Sequence, residues 1–388
     1  FLDYEFKARS TYGDVEGATL LDWPITLEDM APYYDAAEKA IGSTHVHGRP
    51  PLAANNNYKV FANGAERVGF TKYATGPYVS NAEPHDGRTG LCDLRPESHV
   101  VKITHDASGK VNAVIYVDKD GNLQSQAAKA VCVAGNSIET ARLLLLSDSS
   151  MFPNGLANSS DQVGRNYMRH LTGSMYAWFD KPVNMHRGET MAGIIKDEVT
   201  HNPDRGFVGG YYMETLALGP AFLAAFIEPG AWGPEFANWM DHYNKMAGMW
   251  IVGEVMPQAT NRITLSITTD QWGLPVANVH FDDHPNDIAM REYAYEKAEA
   301  LYNAVGAVGT HRTPPYPSTH NLGTCRMSAN PEDGVVDKWG RAHDVPNLFV
   351  SAGSVMTTGA AANPTLTIVA HAIRQAEYLA GELKAGNI

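Results

Sequence analysis

The chain has 388 residues, 44% of them apolar, and a formal net charge of −13. That length allows two or three packed domains. The acidic balance excludes a phosphate-binding nucleic-acid surface, and no run of about 18 apolar residues is present to cross a bilayer as a helix. Three widely spaced cysteines, Cys92, Cys132 and Cys325, make neither a disulfide framework nor a zinc set.

In chain order, "DWPITLEDMAPYYDAAEKAIG" predicts a helix. Thr26 and Asp29 have capping-box spacing, and Met30, Tyr33 or Tyr34, Ala37 and Ile41 form an apolar stripe. "SHVVKITHD" and "VNAVIYVDKDGNLQS" read as strands, the second folding over a turn at Lys119 to Asn122. "AKAVCVAGNSIETARLLLLS" reads as strand, tight turn at Gly135 and helix. That is a unit of a doubly wound α/β sheet, whose ligands sit at the carboxyl ends of strands. Between Leu171 and Asp283, "SMYAWF", "MAGIIKDEV", "FVGGYYMETLA", "MAGMWIVGEVM", "NRITLSI" and "VANVHFDD" predict a largely antiparallel sheet with an aromatic, Met-rich face. Tyr211, Tyr212, Met213, Phe222, Phe226, Trp232, Trp239 and Trp250 are the candidates for a pocket wall, or for ordinary core. Asn286 to Val305 follows as a helix with Met290, Ala294, Ala298, Leu301 and Val305 on one stripe. "NLFVSAGSVM" is a strand entering a Gly/Ser turn. "NPTLTIVAHAIRQAEYLAGEL" closes the chain as a helix, with Asn363 as N-cap and Pro364 at the first helical position.

Chemistry is concentrated in "STHNLGTCRM", Ser318 to Met327. On residue type alone, His320 is a general base, a metal ligand or a buried polar residue. A metal reading with Cys325 lacks a third ligand. The last helix offers free N–H groups and partial positive charge at its start, a ready site for a developing anion or a phosphate. Asn363 there serves equally as a cap.

The combination narrows these alternatives. "HNLGTCRM", then "GVVDKWGRAHDVPNLFVSAGSVM", then "NPTLTIVAHAIRQAEYL" resembles the C-terminal part of the glucose-methanol-choline (GMC) flavoprotein oxidoreductases. "DWPITLEDMAPYY", "AVCVAGNSIETARLLLLS" and "VGRNYMRH" fit the same family in the same order, and are similar to bacterial sugar and sugar-acid dehydrogenases. The resemblance implies an α/β fold: a doubly wound FAD-binding domain plus an α+β substrate domain with a largely antiparallel sheet. The expected divisions are 1–170 for the FAD-binding part, 171–310 for the substrate domain and 311–388 for the C-terminal return.

The resemblance also implies FAD as hydride acceptor and a sugar or other alcohol as donor, with a cytochrome or quinone as candidate electron acceptor. His320 would take the hydroxyl proton, a task suited to an imidazole of ordinary pKa near 6.5. Asn363 occupies the second active-site position and would hold the substrate oxygen. The helix starting at Pro364 and Thr365 would direct N–H groups at the flavin N1–C2=O edge. Backbone at Ala352 and Gly353 would contact the FAD chain, Val101 would hold the adenine, and Ala134 and Gly135 would line that end. Cys132 and Cys325 become small core residues. An oxidase using oxygen, a lyase and a catalytically incomplete chain are the alternatives.

The sequence departs from the family pattern in places. No G-x-G-x-x-G dinucleotide fingerprint is present, and "DGR" at Asp86 to Arg88 runs almost directly into the next strand. The expectation is that these residues belong to a longer chain, and that a segment after Arg88 could carry an iron–sulfur cluster. Ser328 stands where glycine is common after "CRM", and Ala352 where aspartate is usual before "GS".

Overall fold

The computed structural model describes residues 1–77, 93–227 and 229–388. The Cys92 and Arg88 expectations, and the side chain of Phe226, lie outside the described residues.

The chain opens with a short helix α1 (Ala8–Tyr12), then α2 (Leu27–Ile41), α3 (Asn56–Arg67) and strand β1 (Tyr73–Thr75). The capping box predicted for α2 forms: Thr26 Oγ1 accepts from the Asp29 amide, and Asp29 accepts from the Thr26 amide. A meander follows, β2 (His99–His105), β3 (Val111–Val117) and β4 (Leu123–Ala127). Next come β5 (Val131–Val133), α4 (Asn136–Leu146), β6 (Met168–Arg169), β7 (Leu171–Trp178), β8 (Gly193–Ile195) and β9 (Tyr211–Thr215). The remainder runs α5 (Pro220–Ile227), α6 (Pro234–Asp241), β10 (Met246–Gly253), β11 (Arg262–Thr269), β12 (Pro275–His280) and α7 (Pro285–Ala304). It ends with β13 (Gly309–Arg312), β14 (Asn321–Leu322), β15 (Leu348–Val350) and α8 (Thr365–Ala385).

The predicted antiparallel sheet is six-stranded, in the order β1-β8-β9-β10-β7-β13, with every neighbour pair antiparallel. β11 and β12 pair with each other instead of joining it. The edge strand β1 is contributed from well outside the 171–310 segment. Period-two alternation gives the sheet two different faces. Met175, Ala177, Met213, Met249 and Ile251 belong to the main core, on the side where α3 and α7 pack. Tyr176, Tyr212, Met246 and Trp250 form a second cluster on the other face. Both faces are covered, so β10 is buried along its whole length.

The strand–turn–helix unit at Val131 also forms. β5 pairs in parallel with β15, Leu348 opposite Val131 and Val350 opposite Val133, and α4 leads away from its carboxyl end. The positive φ of this turn belongs to Asn136 (57°), not Gly135. α2 packs against α8, tying the first helix of any length to the last. Two expectations are corrected here. α8 begins one residue later than predicted: Pro364 is the cap residue, in αR conformation, and its carbonyl accepts from the Ile368 amide. Asn363 therefore lies before the helix and does not cap it. Cys132 is exposed, whereas Cys325 is buried, because the alternation of β5 turns Cys132 away from Val133 and the core.

Candidate active site

His320 is positioned by a backbone pairing. β14 runs antiparallel to β6, with Asn321 opposite Arg169 and Leu322 opposite Met168. The next step of that register brings His320 opposite His170. Their ring centroids are 5.0 Å apart at 86°, and the two Nδ1 atoms lie 2.9 Å apart. The glycine of "HNLG" is required for this approach. Gly323 has φ +72°, and a Cβ there would stand 2.0 Å from the Asn166 carbonyl oxygen. His170 Nε2 lies 2.9 Å from the Gly359 carbonyl oxygen. The His320 amide donates to Ser318 Oγ at 3.0 Å, and the Trp250 ring lies 5.5 Å from its imidazole. Burial pushes the His320 pKa down to about 4. Burial, reinforced by His320, pushes His170 down to about 3. Both rings are neutral near neutral pH.

Asn363 reaches the same region from the start of α8. Its Oδ1 accepts the Tyr212 hydroxyl at 2.8 Å. Glu214, two residues along β9 on the same face as Tyr212, is 4% exposed. Burial raises its pKa to about 7, with the neighbouring Asn363 and Tyr212 side chains pulling the other way. Glu214 stands opposite Trp250 in the β9–β10 register, and cross-strand partners share a face. A continuous set of contacts therefore runs from Asn363 through Glu214 and Trp250 to His320.

Beside it is a cavity of about 160 Å³ whose walls include Ser174, Tyr176, Leu216, Trp250, Ser318 and Thr319. The Tyr176 hydroxyl, Trp250 Nε1 and Glu214 Oε1 are buried without a hydrogen-bond partner among the described residues. Such atoms are costly unless something arrives to pair them.

The residues expected to hold a cofactor fall into two places. Val101, Ala134 and Gly135 line one cavity of about 730 Å³, beside exposed Cys132, at the end of β5 and the first turn of α4. Thr140 Oγ1 is buried and unpartnered among the described residues, and it lies 3.6 Å from where a Gly135 side chain would begin. Ala352 lies elsewhere, lining a cavity of about 10 Å³ with Thr367 and His371. Burial holds His371 down to about 4. The Ser354 hydroxyl and His371 Nε2 are also buried without partners among the described residues. Gly353 lies against the His320 strand, where a Cβ would meet the Asn321 carbonyl oxygen at 2.9 Å. Pro364 is buried and Thr365 exposed. A large cavity at a strand–helix turn, glycine at close backbone approaches and orphaned hydroxyls near both ends fit a dinucleotide cofactor.

Of the aromatic candidates, Tyr212 and Trp250 belong to the site. Tyr211 and Met213 face the opposite, main core. Phe222 and Trp232 are 66% and 89% exposed, and Trp239 packs edge-on against Trp178 with centroids 4.3 Å apart. His170 and Glu214 were not singled out from sequence. Glu214 had a usable signal: it is the one carboxylate in the alternating run "FVGGYYMETLA", and an acid on a two-sided buried strand needs a reason. His170 ends the motif "VGRNYMRH", but nothing local marks it as a partner of a residue 150 positions away.

Comparison with known proteins gives consistent results. The GMC oxidoreductase C-terminal family model matches residues 257–372. The 2-methyl-1,2-propanediol dehydrogenase of Mycolicibacterium austroafricanum is 33% identical, aligned over 97% of this chain and 77% of its own. The fructose dehydrogenase large subunit of Gluconobacter japonicus is 27% identical, covering 100% of this chain and 78% of its own. The solved pyridoxine 4-oxidase of Mesorbium loti shares the fold, with a TM-score of 0.67 at 16% identity over 97% of this chain and 80% of that one. With both ends of the chain and its middle aligned to such relatives, this protein belongs to the GMC oxidoreductase family, FAD-dependent oxidoreductases acting on CH–OH groups.

Proposed function

We propose that the chain oxidises a CH–OH group of a small alcohol or diol, with His320 as the base and Asn363 holding the reacting oxygen. The observation that carries this is the convergence of a neutral, half-buried imidazole and a hydrogen-bonded amide on one face of the six-stranded sheet, beside a cavity of about 160 Å³. His320, uncharged near neutral pH, accepts the hydroxyl proton. Asn363 has its Oδ1 engaged by Tyr212, which turns the amide N–H groups toward Glu214 and the site. One of them donates to the substrate oxygen as negative charge builds there. Bound FAD supplies the acceptor for the hydride leaving the carbon.

Glu214 Oε1, Trp250 Nε1 and the Tyr176 hydroxyl, unpartnered among the described residues, suit a further hydroxyl. The relative that acts, by its name, on 2-methyl-1,2-propanediol supports the same class. Val101, Ala134 and Gly135 would hold one end of the FAD, Ala352 and Gly353 its middle, and Pro364 and Thr365 the end near the substrate. On this reading 1–170 and 311–388 bind cofactor and 171–310 binds substrate. An iron–sulfur cluster has no support from the relatives' names, and the described residues contain no group of three or more metal-ligating side chains.

The test is anaerobic mixing of the flavin-loaded protein with a short 1,2-diol and, separately, with a sugar. Bleaching of the flavin by the diol is the expected result. Bleaching by neither would overturn the reading. Reoxidation in air would assign oxygen as acceptor, and reoxidation only by a quinone or cytochrome would assign a dehydrogenase.

A further inference from the structure

The His170–His320 contact contains more information than proximity, because each nitrogen in it can be assigned. The Gly359 carbonyl oxygen has no proton to give, so the 2.9 Å contact with His170 Nε2 requires the proton to be on Nε2. A neutral imidazole carries one N–H, which leaves His170 Nδ1 bare. That bare nitrogen is 2.9 Å from His320 Nδ1. Were His320 Nδ1 also bare, two lone pairs would face each other at hydrogen-bonding distance with nothing between them. His320 Nδ1 must therefore be the donor, and its remaining nitrogen, Nε2, must be the bare one.

We infer that His170 is a positioning residue that locks His320 in the Nδ1–H tautomer, through a relay from His320 Nδ1–H to His170 Nδ1 and from His170 Nε2–H to the Gly359 carbonyl. The inference rests on His320 being the base. It explains why the base is ready without prior proton movement: Nε2 is the one free lone pair on the ring. When Nε2 takes the substrate proton, Nδ1–H becomes a charge-assisted donor to the same neutral acceptor, which strengthens the bond at the moment charge develops.

The relay is built into the backbone. The β6–β14 register sets the two rings opposite each other. His170 is 1% exposed and fixed from behind by Gly359, so it cannot rotate without losing its buried partner. Of the titratable groups on the neighbouring elements, His170 packs edge-on against the His320 ring, and Glu214 is the cross-strand partner of Trp250, whose ring lies against His320. Among these, His170 Nδ1 is the atom within hydrogen-bonding distance of the His320 ring.

The first experiment is long-range proton–nitrogen correlation NMR on flavin-loaded protein with ¹⁵N-labelled histidine side chains, with the His320 signals identified by their loss in His320→Gln. The expected result is a protonated Nδ1 and a bare Nε2 on His320, and the reverse on His170. A bare Nδ1 on His320 overturns the inference. The second experiment measures flavin reduction in His170→Phe and His170→Gln. His170→Phe should slow reduction on the order of 10- to 100-fold, the usual effect of losing an orienting partner, with little change in KM. His170→Gln can accept from His320 and donate to Gly359, and should recover most of the rate. Equal losses in both variants, with both folded by circular dichroism, would overturn it. Failure of the base reading is separable: a wild-type reduction rate in His320→Ala removes His320 from catalysis, whereas an inactive His320→Ala together with a bare His320 Nδ1 in the unaltered protein removes only the relay.

Discussion

The Tyr212 hydroxyl donates to Asn363 Oδ1 at 2.8 Å, joining strand β9 to the residue that precedes helix α8. This bond sets which way the Asn363 amide faces, and the residue itself is exposed and does not cap the helix. Asn363→Ala should therefore lower the flavin reduction rate while leaving the melting temperature nearly unchanged. Tyr212→Phe should lower the rate about five- to tenfold, the worth of one hydrogen bond of about 1 kcal/mol. A large fall in melting temperature with normal reduction in Asn363→Ala would make the residue structural.

His320→Ala should slow flavin reduction by roughly 10²-fold or more, the scale of a general base. Stopped-flow absorbance under anaerobic conditions reads this directly, and a normal rate would take His320 out of the mechanism.

The pH dependence of reduction follows from burial. The protonated imidazole cannot act as a base, and desolvation lowers the His320 pKa to about 4. Activity should therefore persist as pH falls through 6.5, where an ordinary histidine is half protonated, and be lost only as pH approaches 4. A half-maximal rate near pH 6.5 would contradict the burial of this ring.

Glu254 gives the opposite sign, in stability. It is fully buried, accepts from the Tyr12 hydroxyl at 2.8 Å, and has a second oxygen with no partner among the described residues. Burial, with Glu5 nearby, raises its pKa to about 8. The folded state thus holds a proton that the unfolded chain releases above its ordinary value near 4.5. This contribution is fully present below pH 4.5 and is lost as pH rises toward 8, by a few kcal/mol. Glu254→Gln should flatten that decline in thermal melts between pH 5 and 8. An unchanged slope would place the effect elsewhere.

Gly323→Ala should be costly, because φ is +72° and the new Cβ would fall 2.0 Å from the Asn166 carbonyl oxygen. About 1–3 kcal/mol of strain is expected, and the β6–β14 pairing that aligns His170 with His320 should loosen. Loss of both stability and reduction rate is the expected pattern. A fully active variant would mean that the pairing is unnecessary.

Local chemistry made much of this fold readable. The Thr26–Asp29 capping box, the strand–turn–helix at Val131, the alternating runs of the large sheet and the long helix after His284 depend on neighbours within a few residues, and all form. The start of α8 was misplaced by one residue because Asn-Pro can be cap and first turn, or, as here, lead-in and cap. Cys132 was misassigned because a small apolar residue on a short strand carries no mark of which side the core lies on.

By itself, then, the sequence determined the local elements, the family motifs around His320 and Asn363, and the residue types its chemistry requires. Only the tertiary structure decided that His170 lies against His320, that Tyr212 and Glu214 flank Asn363, and that burial leaves the candidate base uncharged. The physical reason is range. Capping and alternation act over a few residues, whereas proton position and pKa depend on partners brought in from 150 residues away and on the water that packing removes.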